Sequence, residues 1–362
     1  MVHTLVQDIT RRPKLKIPID FNARRGIQQI YQILPGKKCL LDVSSRFPQD
    51  IIDLYAKDID DHETIMFYND DVWRYSNDPV LLDFYRSHPQ KQFYIQHLGH
   101  ANRWLTNNAR EFSIPFLIET DLEVQGNPLH AAQYGFASLN NRPSYARLLL
   151  GYHLHRAGVL SQMVFTQNIN IENPAEPILG GYTRSLLDEL PGIDEYFARL
   201  PIRWRDEVID KTPDNLIPNV HHNTFRFWNH EAYENAWCLI TTETETEWWG
   251  IDQSYPTPIA TEKTFKPFLS CQIGLWLVAQ GHFEWLRSHG MVPYEDLVGS
   301  DYDNKNTIEK VKTIVEIVKL GREFMSNFYV SHLREIVHNQ QHILTGAFER
   351  SIITAATKLV QE

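Results

Sequence analysis

The sequence predicts an α/β protein of two doubly wound halves facing a cleft, closed by a helical C-terminal extension. Three observations predict it. Strand-like and helix-like pieces alternate from Lys38 to Ile118, and the alternation resumes as strand, turn, helix and strand from Gly135 to Phe165. At 362 residues the chain is long enough for two domains. After Asp301-Tyr302-Asp303-Asn304 the apolar residues recur at helical spacing. The expected divisions are residues 1–130, 131–305 and 306–362, the last packing back across the other two.

In the first half, Lys38-Cys39-Leu40-Leu41-Asp42-Val43 reads as a buried strand and Pro48 to Lys57 as an amphipathic helix. Glu63 to Tyr68 is a second strand, Pro79 to His88 a second helix and Gln92 to His97 a third strand. Ile114 to Ile118 is a fourth, where Pro115 fits a strand start or an edge. In the second half, Gly135 to Leu139 is a strand, Asn140-Asn141-Arg142-Pro143 a turn, Ser144 to Ala157 a helix closed by Gly158, and Val159 to Phe165 a strand. The polar, proline-rich stretch from Asn168 to His230 carries short helices at Thr183 to Leu190 and around Ile193 to Leu200. Ala236 to Thr242 is a strand that Glu243 to Glu247 extends. Gly274 to Val278 is the next strand, His282 to His289 a helix, and Met291 to Tyr294 a last short strand. Ile308 to Asn327, Leu333 to Leu344 and Ala347 to Val360 are amphipathic helices.

Composition narrows the function classes. Apolar residues make up 43% of the chain, so both halves have core to bury, and the net charge of -10 disfavours a long phosphate-backbone interface with nucleic acid. Cys39, Cys238 and Cys271 are widely spaced and odd in number, which fits a reducing, cytoplasmic compartment. No apolar run approaches 18 residues and the first 13 residues hold no apolar leader segment, so neither a membrane span nor a signal peptide is expected. His221, His222 and His230 lack a carboxylate at ligand spacing, and no metal site is expected.

The densest chemistry lies in Ala260-Thr261-Glu262-Lys263-Thr264-Phe265-Lys266-Pro267, after the turn-rich Ser254 to Pro258. Thr261 suits a helix N-cap and puts Glu262 and Lys263 in the first turn. Pro267 is tolerated best close to a helix start, which fits that placement. A helix start bearing a lysine suits an anion, and a neighbouring carboxylate can accept from a pair of hydroxyls; a ribose with a diphosphate satisfies both. The plain alternative is a surface helix start. Asn140, Arg142 and Arg147 put cations at a second helix start, where an arginine fork suits phosphate oxygens or a surface carboxylate. Glu243 lies just past an apolar strand, so it can join Glu262 and Lys263 at one cleft or simply belong to a solvated strand face. Ligands of doubly wound sheets collect beyond the carboxyl ends of strands. That draws in Asp70, Asp71, His97, His100, Glu119 and Asp121, each also an ordinary turn or cap residue.

The ordered set from Phe136 to Asp303 resembles the donor-binding half of B-type glycosyltransferases, which pair two Rossmann-like domains. It is most similar to α-1,3-fucosyltransferases and related phage and viral glycosyltransferases. The resemblance rests on Ile259-Ala260-Thr261-Glu262-Lys263-Thr264, on Asn140-Asn141-Arg142 with Arg147, and on Leu239 to Glu243 before the motif. Leu286 to Gly290 and Tyr302-Asp303 follow it. Gly274-Leu275-Trp276-Leu277-Val278 departs from the family's Val-Pro-Val strand, and the first half matches no acceptor motif.

The resemblance implies metal-independent, inverting transfer of a sugar from a nucleotide-diphosphate donor to a glycan or small-molecule hydroxyl, with no separate cofactor. It implies that Glu262 binds ribose hydroxyls and that Lys263 and Arg142, with Arg147 as a second candidate, bind the diphosphate. Asn140, Thr261 and Thr264 complete the donor set. An acceptor base is expected from the first domain; Asp70, Asp71, Glu119 and Asp121 are the candidates, Asp71 and Asp121 being taken from their places at strand ends, with Glu243 beside the donor. A non-catalytic nucleotide or glycan binder, or a transferase acting on modified DNA bases, are the alternatives.

Overall fold

The computed structural model describes residues 7–8, 15–16, 25–42, 52, 62–68, 78–97, 103–113, 126–140, 144–167, 187, 189–202, 235–243, 260, 262–278 and 280–362. It is an α/β protein with one mixed and one all-parallel sheet. The chain divides into two compact units: residues 1–120, 259–261 and 346–362 form the first, residues 121–258 and 262–345 the second. The C-terminal helices expected as a separate piece are thereby shared between the two units, with the division after Thr345.

The first unit opens with a two-residue antiparallel pair, β1 (Gln7–Asp8) and β2 (Leu15–Lys16), followed by α1 (Arg25–Ile33). Its main sheet contains β3 (Lys38–Asp42), β4 (Thr64–Tyr68), β5 (Gln92–His97), β6 (Arg103–Thr106) and β7 (Ala109–Ser113), in the order β3-β4-β5-β7-β6. The first four in that order run parallel and β6 runs antiparallel at the edge. Alternate residues feed two cores. Cys39, Ile65, Phe67, Phe93, Ile95 and Ala109 meet Leu81, Phe84 and Tyr85 of α2 (Pro79–Ser87). Leu40, Met66, Tyr94 and Phe112 meet α1 and the returning C-terminal helix α11 (Ala347–Gln361) through Ile30, Tyr31, Ala356 and Leu359. Asp78 caps α2 by accepting from the Val80 N–H at 2.8 Å, ahead of Pro79, whose missing donor costs nothing at that position.

The β6–β7 hairpin was not anticipated. The expected fourth strand, Ile114 to Ile118, and most of the expected helix from Pro48 to Lys57 lie outside the described residues. The hairpin turn carries Asn108, buried at 7% exposure, whose amide nitrogen donates to the carbonyls of Tyr85, His88 and Lys91 at 2.8–3.1 Å. It thus closes the C-terminal end of α2 from a turn some 20 residues further on.

In the second unit β8 (Tyr134–Asn140), β9 (Val164–Gln167), β10 (Ala236–Thr242) and β11 (Ile273–Leu277) make a parallel sheet ordered β11-β10-β8-β9. Between β8 and β9 runs α3 (Tyr145–Arg156); α4 (Ile193–Phe197) precedes β10; α5 (Glu262–Leu269) joins β10 to β11. Then come α6 (His282–Ser288), α7 (Glu295–Val298), α8 (Thr307–Lys319), α9 (Gly321–Ser331) and α10 (Leu333–Leu344). Helix α8 packs on α3, α9 on β8 and β10, and α10 on α5. At Gly135 a Cβ would lie 3.0 Å from the Arg322 backbone, so this close approach of α9 to β8 favours glycine.

Three expected boundaries are corrected. The single helix expected from Ile308 to Asn327 is two, broken at Gly321, whose φ of +81° no helix continues. The strand expected from Val159 begins only at Val164, because Leu160–Gln162 forms a 3-10 turn first. Met291 to Tyr294 is not a strand. Its backbone partner is a side chain: the fully buried Asn339 of α10 accepts from the Val292 N–H at 2.8 Å and donates to the Val292 carbonyl at 2.9 Å and to the Tyr294 hydroxyl at 3.0 Å.

Two consequences are measurable. Asn339→Ala strands the part-buried N–H and carbonyl of Val292 and the buried Tyr294 hydroxyl, and should lower stability by about 2–4 kcal/mol, seen as a lower urea midpoint with an unchanged slope. His282, fully buried, has its pKa pushed down to about 3 by burial and by nearby Lys310, and His289 is pushed down to about 4 by burial and by His342. Both rings stay neutral in the folded chain where the unfolded chain takes up protons, below the ordinary value of 6.5. Stability should therefore fall as pH drops below about 6.5, by up to about 1.4 kcal/mol per pH unit for each ring. Urea midpoints at pH 7 and pH 5 measure this, and His282→Gln should flatten part of the slope.

Candidate functional site

Strand order defines where the second unit can hold a ligand. From β8 the chain crosses by α3 to β9 on one side; from β10 it crosses by α5 to β11 on the other. Neighbouring strands whose connections diverge leave a crevice at their carboxyl ends, which is where open α/β sheets bind ligands. The residues at that point are Asn140 at the end of β8, Ser144 and Arg147 at the start of α3, Thr242 and Glu243 at the end of β10, and Lys263 and Thr264 in the first turn of α5.

Hydrogen bonds tie both helix starts to the end of β10. The Arg147 guanidinium, 6% exposed, donates from Nη2 to the Thr242 carbonyl at 3.2 Å, and Ser144 caps α3 by accepting from the Arg147 N–H at 3.4 Å. On the other side the Thr264 hydroxyl, fully buried, donates to Glu243 Oε1 at 2.6 Å. Glu243 is itself buried, and its N–H extends the ladder to the Leu277 carbonyl at 3.2 Å. Asn140 is fixed by donation to Ser138 Oγ at 3.1 Å and to the Thr166 carbonyl at 3.3 Å. Lys263 stands half-buried on α5. The buried hydroxyls of Thr241 and Thr242 meet no partner among the described residues.

The fold thus gathers Asn140, Arg147, Glu243, Lys263 and Thr264. Glu262 opens α5, and its side chain lies outside the described residues, as do Thr261, Arg142, Asp71 and Asp121. Pro267 sits at the sixth position of α5, deeper than a start-of-helix proline; it has no N–H to give the Lys263 carbonyl, and α5 ends two residues later. Ser138, Thr166, Gln167 and Thr242 were missed. Their only signal is that each is polar at the close of an apolar strand, a pattern shared with ordinary turn starts.

The later motif pieces have structural duties. Asp303 Oδ2 accepts from the N–H groups of Phe283 and Glu284 at 3.2 and 3.3 Å, capping α6, and the Tyr302 hydroxyl donates to the Trp276 carbonyl at 2.8 Å. Arg287 grips Glu295 with both contacts within 2.9 Å. Among the described residues no group of three or more His, Cys, Asp or Glu is placed to hold a metal, and no helix is long and apolar enough to cross a membrane. The three cysteines are buried thiols.

The fold is that of an α/β protein with a topological switch point in the sheet of its second unit. No protein-family model matches the chain, and no curated protein matches it.

The Thr264–Glu243 tie gives a graded expectation. Thr264→Val removes one hydrogen-bond donor from the buried Glu243 carboxylate and should cost about 1–3 kcal/mol. Glu243→Gln keeps an acceptor and should cost less; urea denaturation of the two variants gives the order.

Proposed function

We propose that the chain is a nucleotide-sugar glycosyltransferase of the B type. Residues 131–305 would form a Rossmann-like donor-binding domain and residues 1–130 a Rossmann-like acceptor domain. The observation that carries the proposal is the convergence just described: hydrogen bonds from Arg147 and Thr264 hold two helix starts at the end of one strand, beside a topological switch point.

The chemistry follows from what breaks. When the anomeric bond opens, negative charge grows on the departing diphosphate. Fixed cations and helix N–H groups there lower the barrier, and one such donor is commonly worth about 3–4 kcal/mol. Lys263 and the first turn of α5 fit that task, with Arg142 beside them in the resemblance, and Glu262 fits the ribose hydroxyls. Arg147 and Glu243 are too enclosed to exchange easily with substrate; each suits the work of holding a helix start in place. Proton removal from the acceptor hydroxyl then falls to a carboxylate outside the donor set, and Asp71 and Asp121 are the proposed choices.

Two experiments test the proposal. A nucleoside diphosphate at about 100 times its dissociation constant should stabilise the protein by about 2.7 kcal/mol, read as a raised melting temperature. A screen of the common nucleoside diphosphates that raises none counts against a donor site. With the matching nucleotide sugar, Lys263→Ala should lower turnover by about 10²–10³-fold, and a loss below tenfold argues against leaving-group stabilisation by this residue. Binding without hydrolysis or transfer points instead to a non-catalytic binder.

A further inference from the structure

The run His338-Asn339-Gln340-Gln341-His342 places two histidines four residues apart in α10, and so on one face of that helix. Two of the residues between them are committed elsewhere: Asn339 holds Val292, and Gln340 bonds to the carbonyls of Gly126 and Leu269. The two imidazole rings lie close to parallel, 5.4 Å between centroids and 28° between planes. His338 is exposed and His342 half-buried, so the pair borders solvent.

Each ring is already held by one nitrogen. His338 Nε2 lies 2.9 Å from the Gly290 carbonyl and His342 Nε2 lies 2.7 Å from the His289 carbonyl, just past the C-terminal end of α6. A carbonyl oxygen only accepts, so both Nε2 atoms carry a proton and donate it. In the neutral rings each Nδ1 therefore keeps its lone pair. Gly290 lets the second ring come close: a Cβ there would lie 2.8 Å from His342, and its φ of +84° favours glycine as well. Histidines that ligate a metal share this arrangement, in which one ring nitrogen binds the ion and the other donates to a carbonyl that orients the ring. Two histidines at this helical spacing face one ion in known zinc sites. At metal–nitrogen lengths of about 2.0–2.1 Å the two nitrogens stand about 3 Å apart, a separation that rings 5.4 Å between centres reach by tilting their Nδ1 edges together.

We propose that His338 and His342 form a surface site for a divalent transition-metal ion of the nickel, copper or zinc kind, bound through the two Nδ1 atoms with water in the remaining positions. No group of three His, Cys, Asp or Glu stands ready to hold a metal among the described residues, so this is a two-ligand, exchangeable site. Asn339, Gln340 and Gln341 offer no carboxylate to act as a base beside the ion, so the site binds rather than catalyses. The bound ion would fasten α10 to the turn after α6, and the proposal is independent of the transferase reading.

The test is calorimetric titration of the untagged full chain with Ni²⁺, Zn²⁺ and Mg²⁺. His338→Gln and His342→Gln are the decisive variants, because a glutamine amide can keep a bond to the carbonyl while the ring lone pair is lost. The wild-type chain should take up one more Ni²⁺ or Zn²⁺ than either variant, and the double variant should lose no more than a single one, since a chelate fails with its first ligand. Mg²⁺, which prefers oxygen ligands, should not compete. Ni²⁺ should also raise the melting temperature of the wild-type chain more than that of the double variant. His338 is exposed, so His338→Gln keeps the test standing if a change at His342 prevents folding. The proposal is overturned if the wild-type chain and His338→Gln take up the same number of ions with the same affinity, which would place every ion on other histidines. It is equally overturned if Mg²⁺ displaces the bound ion, or if Ni²⁺ raises both melting temperatures alike.

Discussion

The second unit depends on how the end of β10 is held. A strand that stops beneath two helix starts exposes its last carbonyl and the residue after it to both. Here Arg147 takes the Thr242 carbonyl from one side and Thr264 takes the Glu243 carboxylate from the other. Each bond ties the start of one helix to the end of β10, so the placement of these two helix starts is a property of the fold rather than of one side chain. Because these polar groups are enclosed, losing one partner would leave the other without water to replace it.

The helices after β11 are fastened by side chains bonding to backbone. Asn339 stands in for a neighbouring strand at Val292. Gln340 donates to the carbonyls of Gly126 and Leu269 at 2.9 and 3.0 Å, and the Tyr329 hydroxyl lies 2.8 Å from the Cys271 carbonyl and 3.0 Å from that of Pro128. Each of these satisfies irregular backbone that would otherwise be buried without partners. The helical ending is therefore a scaffold for the loops around the parallel sheet as well as apolar cover for it.

Buried cations differ in how they are balanced. Lys310 donates to the carbonyls of Val278 and Asp303 at 3.0 and 3.2 Å, so carbonyl dipoles around the end of β11 help to carry its charge. Arg147 uses a strand-end carbonyl in the same way. Arg110 has a phenol, an amide and an indole face, none of them strongly negative.

Much of the architecture was legible in the sequence because fully buried parallel strands read as unbroken apolar runs: β3, β4, β5, β8, β10 and β11 were each anticipated within a residue or two. The start of α5 at Glu262 was legible from the preceding turn residues and threonine. The β6–β7 hairpin was not, because Arg103 to Ser113 is half polar and its pairing is decided by Asn108 reaching α2. The irregular Val292 segment was not, because apolar character says a residue is buried, not whether a strand or an asparagine satisfies its backbone. In the site, the residue types were readable but their duties were not. By itself the sequence determined which stretches are apolar, where helices start and which cations are available, since these are local properties. Only the tertiary structure decided that Arg147 and Glu243 are enclosed ties, because burial and hydrogen-bond partners come from residues tens of positions away.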